Sequence, residues 1–231
     1  MLLGSSEINL KGFVQVAGMK IYDPPPRNQL EWPETRKLPN VEKAPQYLTM
    51  KPPTMQKFIF VMRGPELVHN FFIHKQYGIV ALTAGRMEYR HFEALRQTIN
   101  SKLDANMFAI WRVDSPWQAC SKRSAGHPMG GGKGRIHHYV TPIKAGRVIL
   151  ELAGNLEYLE ASRILKETAN KLPFRAAFVT HEQLEEQRLY KERLKKQNMN
   201  PYDFEYVVKN NLGGCKNWCS PYDCFWYGEH I

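Results

Sequence analysis

Two stretches of this chain carry apolar residues at helical spacing, each preceded by a short β-rich run, and that alternation limits the fold more than any other feature. In RHFEALRQTINSKL, Phe92, Leu95, Ile99 and Leu103 recur at spacings of three, four and four, which marks one face of an α-helix. Arg90 and Arg96 lie off that stripe. LEYLEASRILKETANKL repeats the pattern through Tyr158, Ala161, Leu165, Ala169 and Leu172. Pro173 stops it, because proline lacks the N–H that a helix interior requires. Around the two lie YGIVALTAG (77–85), MFAIWRV (107–113), HHYVTPI (137–143), RVILELAG (147–154) and FRAAFVT (174–180), which read as strands. The turn Lys144-Ala145-Gly146 joins the third and fourth of these. Strand, helix, strands, helix, strand within about 105 residues predicts an α+β core at 77–180, two helices on a mainly antiparallel sheet.

The flanks differ from this core. From Asp23 to Pro65 the chain contains DPPPRNQLEWPETRKLPN and KPPTM. Prolines fix φ and remove donors, so residues 1–76 read as a mostly extended arm that would gain order on a partner surface. Beyond Thr180, HEQLEEQRLYKERLKKQ reads as a charged helix with a thin apolar seam at Leu184 and Leu194. Asn200-Pro201 suits the start of a short helix ending near Leu212-Gly213. The aromatic tail, Trp218, Tyr222, Phe225, Trp226 and Tyr227, must pack on its own core or on a neighbour. Residues 181–231 are therefore expected to form a helical C-terminal extension.

Charge narrows the partner. Thirty-two Lys+Arg against 22 Asp+Glu give a net charge of +10, which suits a polyanion. From Arg112 to Arg147 there are seven basic residues and one acidic one, with three histidines, whereas residues 181–231 are nearly neutral. No apolar run reaches the ~20 residues of a membrane-spanning helix, so membrane insertion is not expected. Cys120, Cys215, Cys219 and Cys224 are too few for a secreted disulfide scaffold and suit a reducing compartment. A zinc site at Cys215, Cys219, Cys224 and His230 lacks paired CxxC knuckles, and free thiols are the plainer reading. The opening MLLGSSEINLKGFVQVAGMK, with Lys11 and Lys20 as its basic residues, is weak as a mitochondrial presequence.

Within the basic segment, GHPMGGGKGRIHHYVTPIKAGR (126–147) crowds Gly130, Gly131, Gly132 and Gly134 beside Lys133 and Arg135. A nucleotide-binding phosphate loop would need glycine where His127 stands and a hydroxyl where Gly134 stands. A dinucleotide loop would need its third glycine at Arg135. Both patterns fail, and no nucleotide or other cofactor is expected. His127, His137 and His138 accompany no nucleophile elbow or HExxH, and on a strand His137 and His138 would face opposite ways, so no catalytic role is expected. What fits is nucleic-acid binding. Bare glycine backbone can approach phosphates, Lys133, Arg135, Lys144 and Arg147 can neutralise them, and arginines and histidines can stack on unpaired bases. A flexible surface loop with incidental charge is the bland alternative.

The combination MFAIWRV … KRSAGHPMGGGKGRIHHYVTPIKAGRVILEL … ANKLPFRAAFVT resembles the L-sixteen family of large-ribosomal-subunit proteins over about 77–180. That resemblance implies an α/β-hammerhead-type core. It also implies binding to large-subunit rRNA near the base of the central protuberance, with the glycine loop extended toward the peptidyl-transferase region and the aminoacyl-site tRNA. Met129 to Gly134 match the loop tip, Lys122 and Arg123 the basic run entering it, and Lys144, Gly146 and Arg147 a second basic turn. Arg112, His127, His137 and His138 complete the set of RNA-facing candidates. Pro128 stands where family members carry arginine, so that contact is lost or taken over by His127 or Arg135. The arm and tail look like the mitochondrial branch, with neighbouring ribosomal proteins as their partners and the mitochondrial matrix as the location. A free RNA-binding regulator of messenger or transfer RNA is the alternative.

Overall fold

Seven strands form two antiparallel sheets, and the buried strand β6 (Val148–Gly154) organises the larger one. Its VILELA run is buried throughout, as a strand covered on both faces must be. The computed structural model describes residue 33 and residues 35–45, 62–126 and 130–229. In the larger sheet the order is β3 (Met107–Trp111), β6, β1 (Tyr77–Ala81), β7 (Ala176–Thr180). The smaller sheet places β5 (Ile136–Ile143) between β2 (Gly85–Glu88) and β4 (Gln118–Ser121). The α+β class with antiparallel sheets agrees with the sequence reading, but the single expected sheet is two.

The turn at 144–146 does not close a hairpin. It carries the chain from the smaller sheet into the larger one. Its groups bond elsewhere: Gly146 donates its N–H to the carbonyl of Ala81 at 2.7 Å, and the carbonyl of Ala145 accepts from Glu66 N–H at 2.8 Å.

One face of the larger sheet is covered by α1 (Tyr89–Asn100) and α2 (Tyr158–Ala169). Phe92, Leu95 and Ile99 are buried on α1, and Ala161, Ile164, Leu165 and Ala169 on α2. Burying each larger side chain contributes ~1.5–3 kcal/mol. Tyr158, placed on the α2 stripe by spacing, stays 45% exposed and instead tilts against Phe178 and Tyr77 at the sheet margin.

The opposite face is covered by the chain itself. Residues 62–76, which the sequence assigns to the arm, lie across it, and Phe72 is buried with Val80, Val148 and Val179. Gly78 makes this possible, since a Cβ there would fall 2.3 Å from Phe72 Cε1 and 2.8 Å from the carbonyl of Leu150. Gly78→Ala is therefore expected to cost ~1–3 kcal/mol by overpacking, read as a lower urea midpoint of the full chain. Residues 35–45 dock on the free edge of β3. Ala109 N–H donates to the carbonyl of Arg36 at 3.1 Å, Leu38 is buried and exchanges two hydrogen bonds with the Asn100 side chain, and Trp111 Nε1 donates to Pro39 O. Part of the arm thus lies on this chain's own core.

After β7 the Thr180 hydroxyl caps α3 (His181–Gln197), accepting from Gln183 N–H at 3.2 Å while Gln183 Oε1 accepts from Thr180 N–H, a capping box. Leu184 packs on the Val80–Val179 cluster, whereas Leu194 is half exposed. The next helix, α4 (Phe204–Lys209), is capped by Asp203 and not by Asn200, whose side chain instead closes a local turn by accepting from Tyr202 N–H. A 3-10 turn (Leu212–Gly214), α5 (Cys215–Trp218) and α6 (Pro221–Trp226) complete the extension. Cys215 is buried and donates to Val207 O; all four thiols are free. Among the described residues no helix is long and apolar enough to cross a membrane. His230 and the first 32 residues lie outside those described.

Candidate nucleic-acid interface

The glycine loop rises from the end of the β4–β5 pair. Beyond the last paired residues, Lys122 N–H donates to the carbonyl of Arg135 at 3.1 Å, which extends the ladder by one rung. Gly134 lies flat against that rung, since a Cβ would sit 2.6 Å from the carbonyl of Lys122, so the neck closes only around glycine. Above it the Arg123 guanidinium donates to the carbonyl of Gly132 at 2.8 Å and folds the loop back on itself. Gly130 and Gly132 hold φ of 101° and 87°, which L side chains rarely adopt, and a Cβ on either would meet open space. Here glycine supplies conformation and bare backbone rather than close packing. His127, Pro128 and Met129 lie outside the described residues.

The charges divide into two groups. Lys122, Lys133 and Arg135 are exposed, and among the described residues none has a hydrogen-bonded or ion-paired side-chain partner. They can meet phosphate without first breaking an internal contact. Arg112 and Arg147, by contrast, are turned inward. Arg112 is 15% exposed at its side chain, its Nε 2.9 Å from Glu151 Oε1 without the alignment of a hydrogen bond. Its guanidinium also lies 5.4 Å from the Phe71 ring. Arg147 is 13% exposed, donates to the carbonyl of Arg112 at 3.4 Å and sits 3.7 Å from Asp114. Lys144 is half-buried, its ammonium 6.0 Å from the Trp226 ring, and Gly146 turns with φ of 86°.

His137 and His138 do not face opposite ways. The β4–β5 register skips from Cys120↔His138 to Ser121↔Ile136, so His137 is the extra residue of a β-bulge, which re-aims side chains. The two Nδ1 atoms lie 3.0 Å apart and the rings are nearly perpendicular. A contact of that kind requires one ring to donate and the other to accept. His138 Nε2 also lies 3.7 Å from Glu88. This places two imidazoles side by side below the loop.

Glu151 was not legible as part of this region. It is 2% exposed, accepts from Ile73 and His74 N–H at 3.0 Å each, and holds Arg112. Burial pushes its carboxyl above the ordinary glutamate range, against the pull of those amides and Arg112. The only sequence signal is a lone acid inside an otherwise apolar strand. His69 and His74, unremarked in the sequence, are held below the ordinary histidine value first by burial, then for His69 by Arg147 and for His74 by Arg112.

The loop geometry suits contact with an RNA backbone, bare amides and unpaired cations raised on a fixed neck. A family model described as ribosomal protein L16p/L10e matches residues 49–179, more than half of the chain and the whole of both sheets except Thr180, the last residue of β7. The chain thus belongs to the ribosomal protein L16p/L10e family, whose members serve the large ribosomal subunit as structural, rRNA-binding constituents rather than as enzymes.

Proposed function

We infer that this chain belongs to the mitochondrial large ribosomal subunit, where the 122–135 loop contacts rRNA and helps to position the aminoacyl-site tRNA. The observation that carries this reading is the loop itself, with Lys122, Lys133 and Arg135 exposed and unpaired among the described residues above a neck that only Gly134 allows to close. The protein performs no chemistry in this account; any effect on peptide-bond formation comes through positioning. The mitochondrial assignment rests on the proline-rich arm and the helical tail that flank the family core. Exposed Trp218 and Phe225, at 70% and 69%, favour an assembled particle over a free regulator of messenger or transfer RNA, since neighbours in a particle would cover them.

A photo-crosslinking side chain placed at Gly131 is expected to capture large-subunit rRNA, and aminoacyl-site tRNA in translating ribosomes. The same group at Leu159, exposed on α2, serves as the control. Capture of messenger RNA outside ribosomes, or of no RNA at Gly131, would overturn the reading.

A further inference from the structure

The C-terminal extension, which lies outside the matched residues 49–179, reaches back to the second basic turn by two routes. In the first, Arg63 Nη1 donates to both carboxylate oxygens of Asp223, at 3.1 and 3.2 Å, with both side chains half-buried. Next to Arg63, Gly64 holds φ of +88° beneath the Trp226 indole, where a Cβ would fall 2.4 Å from Nε1. The following residues join the turn: Pro65 bridges Ala145, and Glu66 N–H donates to the Ala145 carbonyl at 2.8 Å. The second route is direct, because the Lys144 ammonium lies 6.0 Å from the Trp226 ring centroid.

Both routes end on Lys144-Ala145. Ala145 is buried and its carbonyl accepts from Glu66 N–H, so the backbone that carries Lys144 is tied to the 63–66 segment that α6 holds. A cation resting on an indole is attracted to the ring, yet it keeps its donors available for a phosphate oxygen, and a lysine held this way loses less rotamer freedom on binding than a free one. The Ser220 hydroxyl and Pro221 fix the start of α6, so the indole is delivered from a defined helix end.

We propose that Trp226 and Asp223 are positioning residues for RNA binding, a clamp by which the C-terminal extension holds Lys144 in place to meet a phosphate of rRNA. This rests on the RNA-binding reading of the second basic turn. The clamp explains why Gly64 stands under the indole. It also gives the extension a part in RNA binding although its own charge is nearly balanced.

The test uses the full chain and deproteinised large-subunit rRNA as the probe, with affinity followed against salt. Lys144→Ala is expected to flatten the log–log salt slope by about one, the signature of one lost phosphate contact. Trp226→Ala should flatten it equally and add nothing in a Lys144→Ala background, while Trp226→Phe should restore most of the slope. Gly64→Ala, which displaces the indole from the other side, should repeat Trp226→Ala, and Asp223→Asn should move the same way. Amide exchange at Glu66 should quicken in all three clamp variants, reporting release of the turn independently of RNA. If Lys144→Ala itself leaves the slope unchanged, the RNA reading of this turn fails and the proposal with it. If Lys144→Ala flattens the slope while Trp226→Ala and Gly64→Ala do not, the RNA reading stands and the clamp is overturned.

Discussion

Replacing Glu151 with alanine is expected to destabilise the protein by ~3–5 kcal/mol, the largest loss from any single polar substitution in the core. The carboxylate sits in β6, 2% exposed, and three groups depend on it: the N–H groups of Ile73 and His74 and the Arg112 guanidinium. Alanine would leave two amides without their acceptor and an arginine charge without its counterion in a largely buried site. Against a total stability of ~5–15 kcal/mol, that is about a fifth of the margin or more, and the urea midpoint should fall by about 1 M or more. The segment 62–76 should loosen with it, because Glu151 holds Ile73 and His74 directly after the Phe72 anchor.

Glu151 also predicts a pH dependence with a definite sign. Burial raises its folded pKa above the unfolded value. The part of its contribution linked to protonation is therefore fully present below the unfolded pKa of ~4.3 and is lost as pH rises through the folded pKa. Glu151→Gln keeps one acceptor and does not titrate. The parent's lead over Glu151→Gln should be greatest in acid and shrink toward neutral pH, measured as urea midpoints across that range. A lead that widens with pH would mean that Arg112 and the amides outweigh burial.

The second large effect is on binding rather than on folding. Lys133→Ala combined with Arg135→Ala should leave stability within about 0.5 kcal/mol of the parent, since both side chains are exposed and carry no internal contact among the described residues. RNA affinity should drop on the order of a hundredfold, at roughly a factor of ten for each charge-assisted contact, and the salt slope should flatten by about two. In cells the double variant should enter large subunits poorly or support slower translation. Unchanged rRNA affinity would remove the loop from the interface, and a large loss of stability would show that the loop serves the fold.

The sequence showed the helices well because each apolar stripe answers to one partner, the sheet beneath it. Phe92, Leu95 and Ile99 needed no other information. The strands β2 and β4 were missed for a physical reason: GRME and QACS are too short to show alternation, and their pairing with β5 is a long-range fact. The same limit hid the change of sheet within residues 137–154. A short turn between two β-rich runs does not say whether they pair, and hydrogen bonds from Gly146 to Ala81 and from Glu66 to Ala145 draw the turn between sheets.

Among the candidate interface residues, Lys133 and Arg135 could be read as exposed, unpaired cations because a loop charge beside glycines has little in sequence to pair with. Arg112 and Arg147 look equally cationic in the sequence, yet buried Glu151 faces Arg112 and the Arg112 carbonyl accepts from Arg147, so both lie inward. The pairing of His137 with His138 depends on a bulge that no local pattern announces. Asn200 misled because an Asn-Pro turn and a helix N-cap use the same side-chain acceptor geometry.

The most direct test of the central claim is sedimentation of this chain from mitochondrial lysate on a sucrose gradient, with and without ribonuclease. The account predicts that it travels with the large ribosomal subunit and that ribonuclease releases it. Sedimentation as a small free protein, with intact large subunits elsewhere in the gradient, would contradict the account and point to a free RNA-binding regulator.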